Sequence, residues 1–200
     1  MRSFAVEPVV LAIYGELLQP SVPVRFLMPL SAVEELGLFL EENFSSDEEE
    51  QAAIHSNIKR LVSFFDNPFV RKKTTLAGHP PWSVSKPVVY NEFVTVQVVN
   101  TVDTAAFGEE FDPIETELIL LAMKENVPIL TEDPFLQDRI VNSGLDVQVY
   151  DVEDFEFALE EGLAGMGPDS NLPTRNQNYI LPIIFGSFLF ILVVALIMAF

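Results

Sequence analysis

Glu132 and Asp133 stand side by side in PILTEDPFL, residues 128 to 136, where a short apolar run ends and a proline follows. Carboxylates are hard oxygen donors, so acids at such a position suit Mg²⁺ or Mn²⁺. The same two residues read equally as solvated charges left at the end of a strand. Zinc is not expected, because the chain has no cysteine and its two histidines, His55 and His79, do not form an i,i+4 ligand pair.

The elements around the acidic pair decide where it lies. IETELILLAMKEN places Ile114, Leu118, Leu121 and Ala122 on one helical face. VPILT reads as a strand, PFLQDRIVNSG as a helix opened by proline and closed by glycine, and DVQVYD as a further strand. Strand, helix and strand with short connections imply parallel pairing and a right-handed crossover, hence an α/β fold. Ligands of open parallel sheets sit beyond the carboxyl ends of the strands, and Glu132 and Asp133 are placed at such an end.

Toward the N-terminus, SFAVEPVVLAI is valine-rich and alternates little, as a buried strand does. VRFLMPL, residues 24 to 30, is a second short apolar run. SAVEELGLFLEENF has helical spacing at Val33, Leu36, Phe39 and Leu40, with Ser31 as its expected cap. AAIHSNIKRLVSFF is another amphipathic helix. Residues 66 to 92, with four prolines and Trp82, are expected to be irregular. EFVTVQVVNTV fits either a strand or an extended helix, since short apolar runs do not decide between them.

The formal charge of −19 is concentrated: from Asp103 to Glu161 there are seventeen acids against Lys124 and Arg139. Such a surface repels phosphate backbones and disfavours RNA as a partner. The basic residues Arg71, Lys72 and Lys73 form the one basic cluster, which reads as a solvated loop or a binding site.

ILPIIFGSFLFILVVALIMAF, residues 180 to 200, contains no charge. At helical rise its length is roughly 31 Å, close to the hydrocarbon thickness of a bilayer. The expected organisation is a soluble domain over 1–161, a Gly-, Pro- and Asn-containing linker over 162–178, and a transmembrane helix over 179–200, flanked by Arg175 and Tyr179. Glu7 and Pro8 interrupt any signal-peptide core at the start. A single-pass, tail-anchored protein with its soluble domain on the cytoplasmic side is therefore expected.

The order of elements over residues 113 to 151, with ILTED between two helices and VQVYD after them, resembles the C-terminal half of PIN domains. Thr131, Asp133 and the following Phe135 or Leu136 match the Thr-x-Asp motif that often closes that family's site, which makes Asp133 the better ligand of the adjacent pair and leaves Glu132 to face water. The resemblance extends over residues 3 to 155, with 43 to 112 unmatched. It implies a PIN-like parallel sheet flanked by helices and four acidic positions: Glu7 after the first strand, Glu35 on the next helix, Glu115, and Asp133. Family members are typically metal-dependent ribonucleases, and the resemblance implies Mg²⁺ or Mn²⁺ held by these four. A divalent ion there lowers the pKa of a bound water and neutralises charge on the phosphate. Gathered carboxylates repel one another without it.

The chain departs from the family pattern in two ways. Glutamate at 7 and 115 adds a methylene to each ligand, and Pro8 and Val9 replace the family's polar pair, removing groups that would orient a ligand. Each acid also has a structural reading, Glu34 and Glu35 as a helix's polar face and Glu115 as a favourable charge in a first turn. Two functions follow: a membrane-anchored, metal-dependent ribonuclease, or a catalytically inactive PIN-like module that binds a protein partner through its acidic face or proline-rich loop.

Overall fold

Pro8 divides the first apolar run. In the structure, a computed structural model describing residues 1–76, 78–102 and 105–164, strand β1 covers Arg2–Val6 and helix α1 covers Pro8–Ile13. A proline nitrogen cannot donate to a neighbouring strand, and its fixed φ suits a first helical turn. The single strand expected through SFAVEPVVLAI is corrected, with Glu7 as the joint between two elements.

A 3₁₀ turn (Gly15–Leu18) leads to β2 (Val24–Pro29) and α2 (Leu30–Glu35), which tightens into a second 3₁₀ stretch over Leu36–Glu41. Pro29 holds the cap position of α2, so Ser31 is not the cap the sequence suggests. Helix α3 (Glu48–Asp66) is capped by Asp47, whose carboxylate accepts the Glu50 N–H at 2.9 Å. Asn67 and Pro68 stop it and start α4 (Pro68–Thr74), and β3 (Val88–Val89) follows. The stretch 66–92 is thus less irregular than expected, because Asn-Pro is itself a helix start. EFVTVQVVNTV resolves as a strand, β4 (Val94–Val99). Then come α5 (Pro113–Glu125), β5 (Ile129–Leu130), α6 (Pro134–Ser143), β6 (Val149–Tyr150) and α7 (Val152–Ala164).

The six strands form one sheet in the order β3-β4-β2-β1-β5-β6, parallel except for β3 on β4. Helices cover both faces. Phe4, Val6, Phe26, Met28, Val96 and Leu130 point to the side of α1, α3 and α7. Ala5, Leu27, Val99 and Ile129 point to the side of α5 and α6. Successive strand residues face opposite sides, so burial on both sides requires the continuous apolar runs of the sequence.

Helix α7 has no counterpart in the sequence reading. Its Phe155 packs edge-on to Phe4 at 5.0 Å between ring centroids and stacks on Phe26 at 6.1 Å. The helix runs past residue 161, where the soluble domain was expected to end. The remainder of the linker and the apolar segment 179–200 lie outside the described residues. Among the described residues, no helix is long and apolar enough to cross a membrane.

Candidate functional site

β1 lies between β2 and β5, and the chain leaves β1 for one side of the sheet but β5 for the other. The crevice at the carboxyl ends of these two strands is a topological switch point, where open α/β sheets bind ligands. Val6 pairs with Leu130, so Glu7 and Thr131 leave neighbouring strands at the same level. The sheet itself thereby brings together acids 126 residues apart, Glu7 and Asp133.

Helix α5 delivers two more. Its capping box has the Asp112 carboxylate accepting the Glu115 N–H at 2.8 Å, while Glu115 Oε2 accepts the Asp112 N–H at 2.9 Å. A box of this kind satisfies two donors that a helix start leaves open. Asp112 is the site residue that the resemblance did not supply. Its signal in the sequence was a cap signature, aspartate followed by proline and, three residues on, glutamate.

The acids line two adjoining cavities that share Glu7. Glu7, Asp112, Glu115 and Asp133 line a cavity of about 350 Å³ with Thr131 and Glu132. Glu35 lines an adjoining cavity of about 190 Å³, which it shares with Glu7 and Asp112. Glu7 and Asp112 are common to both. A larger cavity of about 580 Å³ between α2, α3 and the chain after α4 has a mixed lining and includes none of these four acids.

Glu7 bears the electrostatic consequence. Burial raises its carboxyl from 4.5 to about 7, and the negative charges of Asp112, Glu115, Asp133 and Glu35 push in the same direction. Every acid that the resemblance assigned acts on Glu7. Its side chain makes no hydrogen bond among the described residues, although it occupies the cap position of α1.

The other acids have partners. Arg139, on α6, donates from Nη1 to Glu115 Oε2 at 2.9 Å and from Nη2 to Oε1, a two-pronged ion pair. The guanidinium also donates to the Glu110 carbonyl at 2.8 Å and stacks 5.2 Å from the centre of the Phe111 ring. The hydrogen bond to Glu115 raises the arginine's already high pKa, so it stays charged. Asp133 caps α6 through one oxygen, accepting the Phe135 N–H at 2.8 Å, and its own N–H donates to Thr131 Oγ1 at 3.2 Å. Thr131 of the Thr-x-Asp motif thus braces the turn that carries Asp133. Glu132 was expected to face water. Instead its Oε1 accepts the Val152 N–H at the start of α7, where an anion suits the helix dipole.

As placed, these donors are largely engaged by the chain's own groups. Glu115 has both oxygens committed to Arg139 and the Asp112 N–H, and Asp133 has one committed to a backbone N–H. Among the described residues, no three Asp, Glu or His side chains are grouped so as to hold a metal ion. Mg²⁺ asks for several free, charged oxygens in near-octahedral array. Comparison with protein-family models gives no match, and comparison with curated protein sequences gives none either.

Proposed function

We propose that this chain is a PIN-like domain tethered to a membrane, whose acidic crevice receives a basic segment of a protein partner in place of a catalytic metal ion. The single observation that carries this reading is the two-pronged Arg139–Glu115 pair. It puts a cation of the chain's own on a carboxylate that the ribonuclease reading needs for Mg²⁺ or Mn²⁺. The strand order, Glu7 after β1, Glu115 in the first turn of α5 and Asp133 after β5 support the PIN-like part of the proposal. The membrane part is supported by the uncharged run from 180 to 200.

The crevice retains charge for a partner. Asp112, Asp133 and Glu35 are exposed, and Phe135 stands 77 % exposed beside Asp133. An aromatic side chain at an acidic rim suits a lysine- or arginine-rich segment, through its alkyl stems and by cation–π attraction.

The metal-dependent ribonuclease remains the second reading, because the acids crowd Glu7 in the way that a bound cation would relieve. One experiment separates the two. Mn²⁺ is titrated calorimetrically into the full chain in detergent, and a fluorescent oligolysine peptide is titrated in parallel. The proposal expects no stoichiometric Mn²⁺ heat and salt-dependent peptide binding that weakens in Asp133→Asn. Saturable Mn²⁺ binding lost in Asp133→Asn, together with Mn²⁺-dependent cleavage of single-stranded RNA, overturns it in favour of the nuclease.

A further inference from the structure

Helix α4 carries three of the eleven basic residues in a chain with thirty acids. Val70 and Thr74, four residues apart, are buried and fix the inward face. Phe69, Lys72 and Lys73, at i, i+3 and i+4, consequently share the outward face. Phe69 is 82 % exposed, the highest value among the large apolar side chains of the described residues. Arg71, Lys72 and Lys73 are also exposed, and no carboxylate pairs with any of them among the described residues. A largely exposed phenylalanine beside ammonium groups free of carboxylate partners is a favourable arrangement at the headgroup boundary of a bilayer.

We propose that the outward face of α4 docks on an anionic lipid surface, with Phe69 entering the headgroup region and Lys72 and Lys73 meeting acidic headgroups. The inference rests on the membrane tether in the reading above, which brings a bilayer within reach. Residues 165 to 179 span at most about 50 Å when fully extended. Three basic residues and one aromatic ring bind a free bilayer weakly, but tethering turns the contact into an intramolecular one at high effective concentration. Charge also selects the face. The acidic stretch 103–161 is repelled by an anionic leaflet, so α4 would turn toward the lipid and the acidic crevice would stay free for its partner.

The chain's single tryptophan makes the test direct. The full-length double variant Phe69→Trp, Trp82→Phe keeps an aromatic ring at 69 and leaves one reporter. It is reconstituted into vesicles of phosphatidylcholine alone or with about a third phosphatidylserine, a composition that sets a negative surface potential. Flotation with the vesicles reads anchoring, while quenching of the tryptophan by brominated lipid reads docking. Quenching and a blue shift are expected in the anionic vesicles, little of either in the neutral ones, and loss of both on adding Lys72→Glu and Lys73→Glu. A control reporter, Phe157→Trp with Trp82→Phe, should stay unquenched in both. Flotation with an unquenched reporter at 69 overturns docking while leaving the tether standing, and failure to float overturns both. Equal quenching in neutral and anionic vesicles, quenching that survives the charge reversals, or a blue shift produced by soluble polyglutamate but not by vesicles, also overturns it.

Discussion

Arg139 grips both carboxylate oxygens of Glu115 across the gap between α6 and α5. Two helices on one face of the sheet are thereby joined at the mouth of the acidic crevice. Truncating the arginine leaves a buried carboxylate without its counter-ion. Fully buried pairs broken in this way cost about 3–5 kcal/mol, but the arginine side chain is 36 % exposed, so Arg139→Ala is expected to cost about 2 kcal/mol. Arg139→Lys should recover only part of this, since an ammonium cannot form the two-pronged contact. Urea unfolding midpoints of the three proteins check the order. Equal stability of the alanine variant and the parent would show that the pair is a solvated contact with no hold on the helices.

Glu7 makes stability depend on pH in an unusual direction for an acid. Its carboxyl titrates near 7 in the folded chain and near 4.5 when unfolded. Between those values the folded state holds more protons, so this group's contribution to stability falls as pH rises and levels off above 7. Glu7→Gln removes the penalty and is expected to be more stable than the parent at pH 8 by about 1–2 kcal/mol, discounted because the side chain is partly exposed. At pH 4.5 the two should unfold together. Denaturant titrations at both pH values measure the difference, and a parallel offset at both would mean that packing, not charge, separates them.

That crowding was legible in the sequence only as an order of acids. The Thr-x-Asp turn, the strand–helix–strand at the C-terminal end and the first-turn position of Glu115 all follow from local signals, namely cap residues, prolines and apolar periodicity. What the sequence could not carry is partnership. Nothing near Arg139 in the chain points to Glu115, because the pair is made by two helices packed on the same face of the sheet. Glu132 was misread for the same reason, its partner being the backbone of a helix that starts twenty residues later. That helix, α7, was itself missed because its acids dilute the periodicity. Among its described side chains, to Glu161, Phe155, Ala158 and Leu159 are buried, a narrow stripe in an acidic stretch.

Asp112 has two roles that pull in opposite directions, and substitutions separate them. As the cap of α5 it stabilises, and replacing such a cap with alanine typically costs about 1 kcal/mol. As a negative charge beside Glu7 it destabilises the ionised crevice. Asparagine caps a helix about as well as aspartate but carries no charge. Asp112→Asn is therefore expected to match the parent at pH 4.5 and to exceed it at pH 8, whereas Asp112→Ala should lie below Asp112→Asn at both. Thermal melts of the variants at the two pH values test the pattern. An asparagine variant less stable than the parent at pH 8 would count against charge crowding in the crevice.

Glu117 sits two residues beyond Glu115 but has a different task. It is 8 % exposed, and its Oε2 accepts two hydroxyl hydrogen bonds, one from Ser31 on α2 and one at 2.6 Å from Thr101 after β4. A single oxygen thus joins three elements that the chain visits far apart. Ser31, expected to cap α2, serves instead as one of these donors. Hydrogen bonds to a charged group contribute about 1.5–3 kcal/mol, and an orphaned buried charge costs more than the loss of either bond alone. With one hydroxyl left, the oxygen is still partnered, but with none it is not. Ser31→Ala and Thr101→Ala should each cost about 1 kcal/mol, while the double variant should exceed their sum by about 1 kcal/mol. The excess should vanish in a Glu117→Gln background, where no buried charge is left to orphan. A double-mutant cycle by urea unfolding in both backgrounds measures it, and additive costs in the parent would mean that water reaches Oε2 and takes the place of the missing hydroxyls.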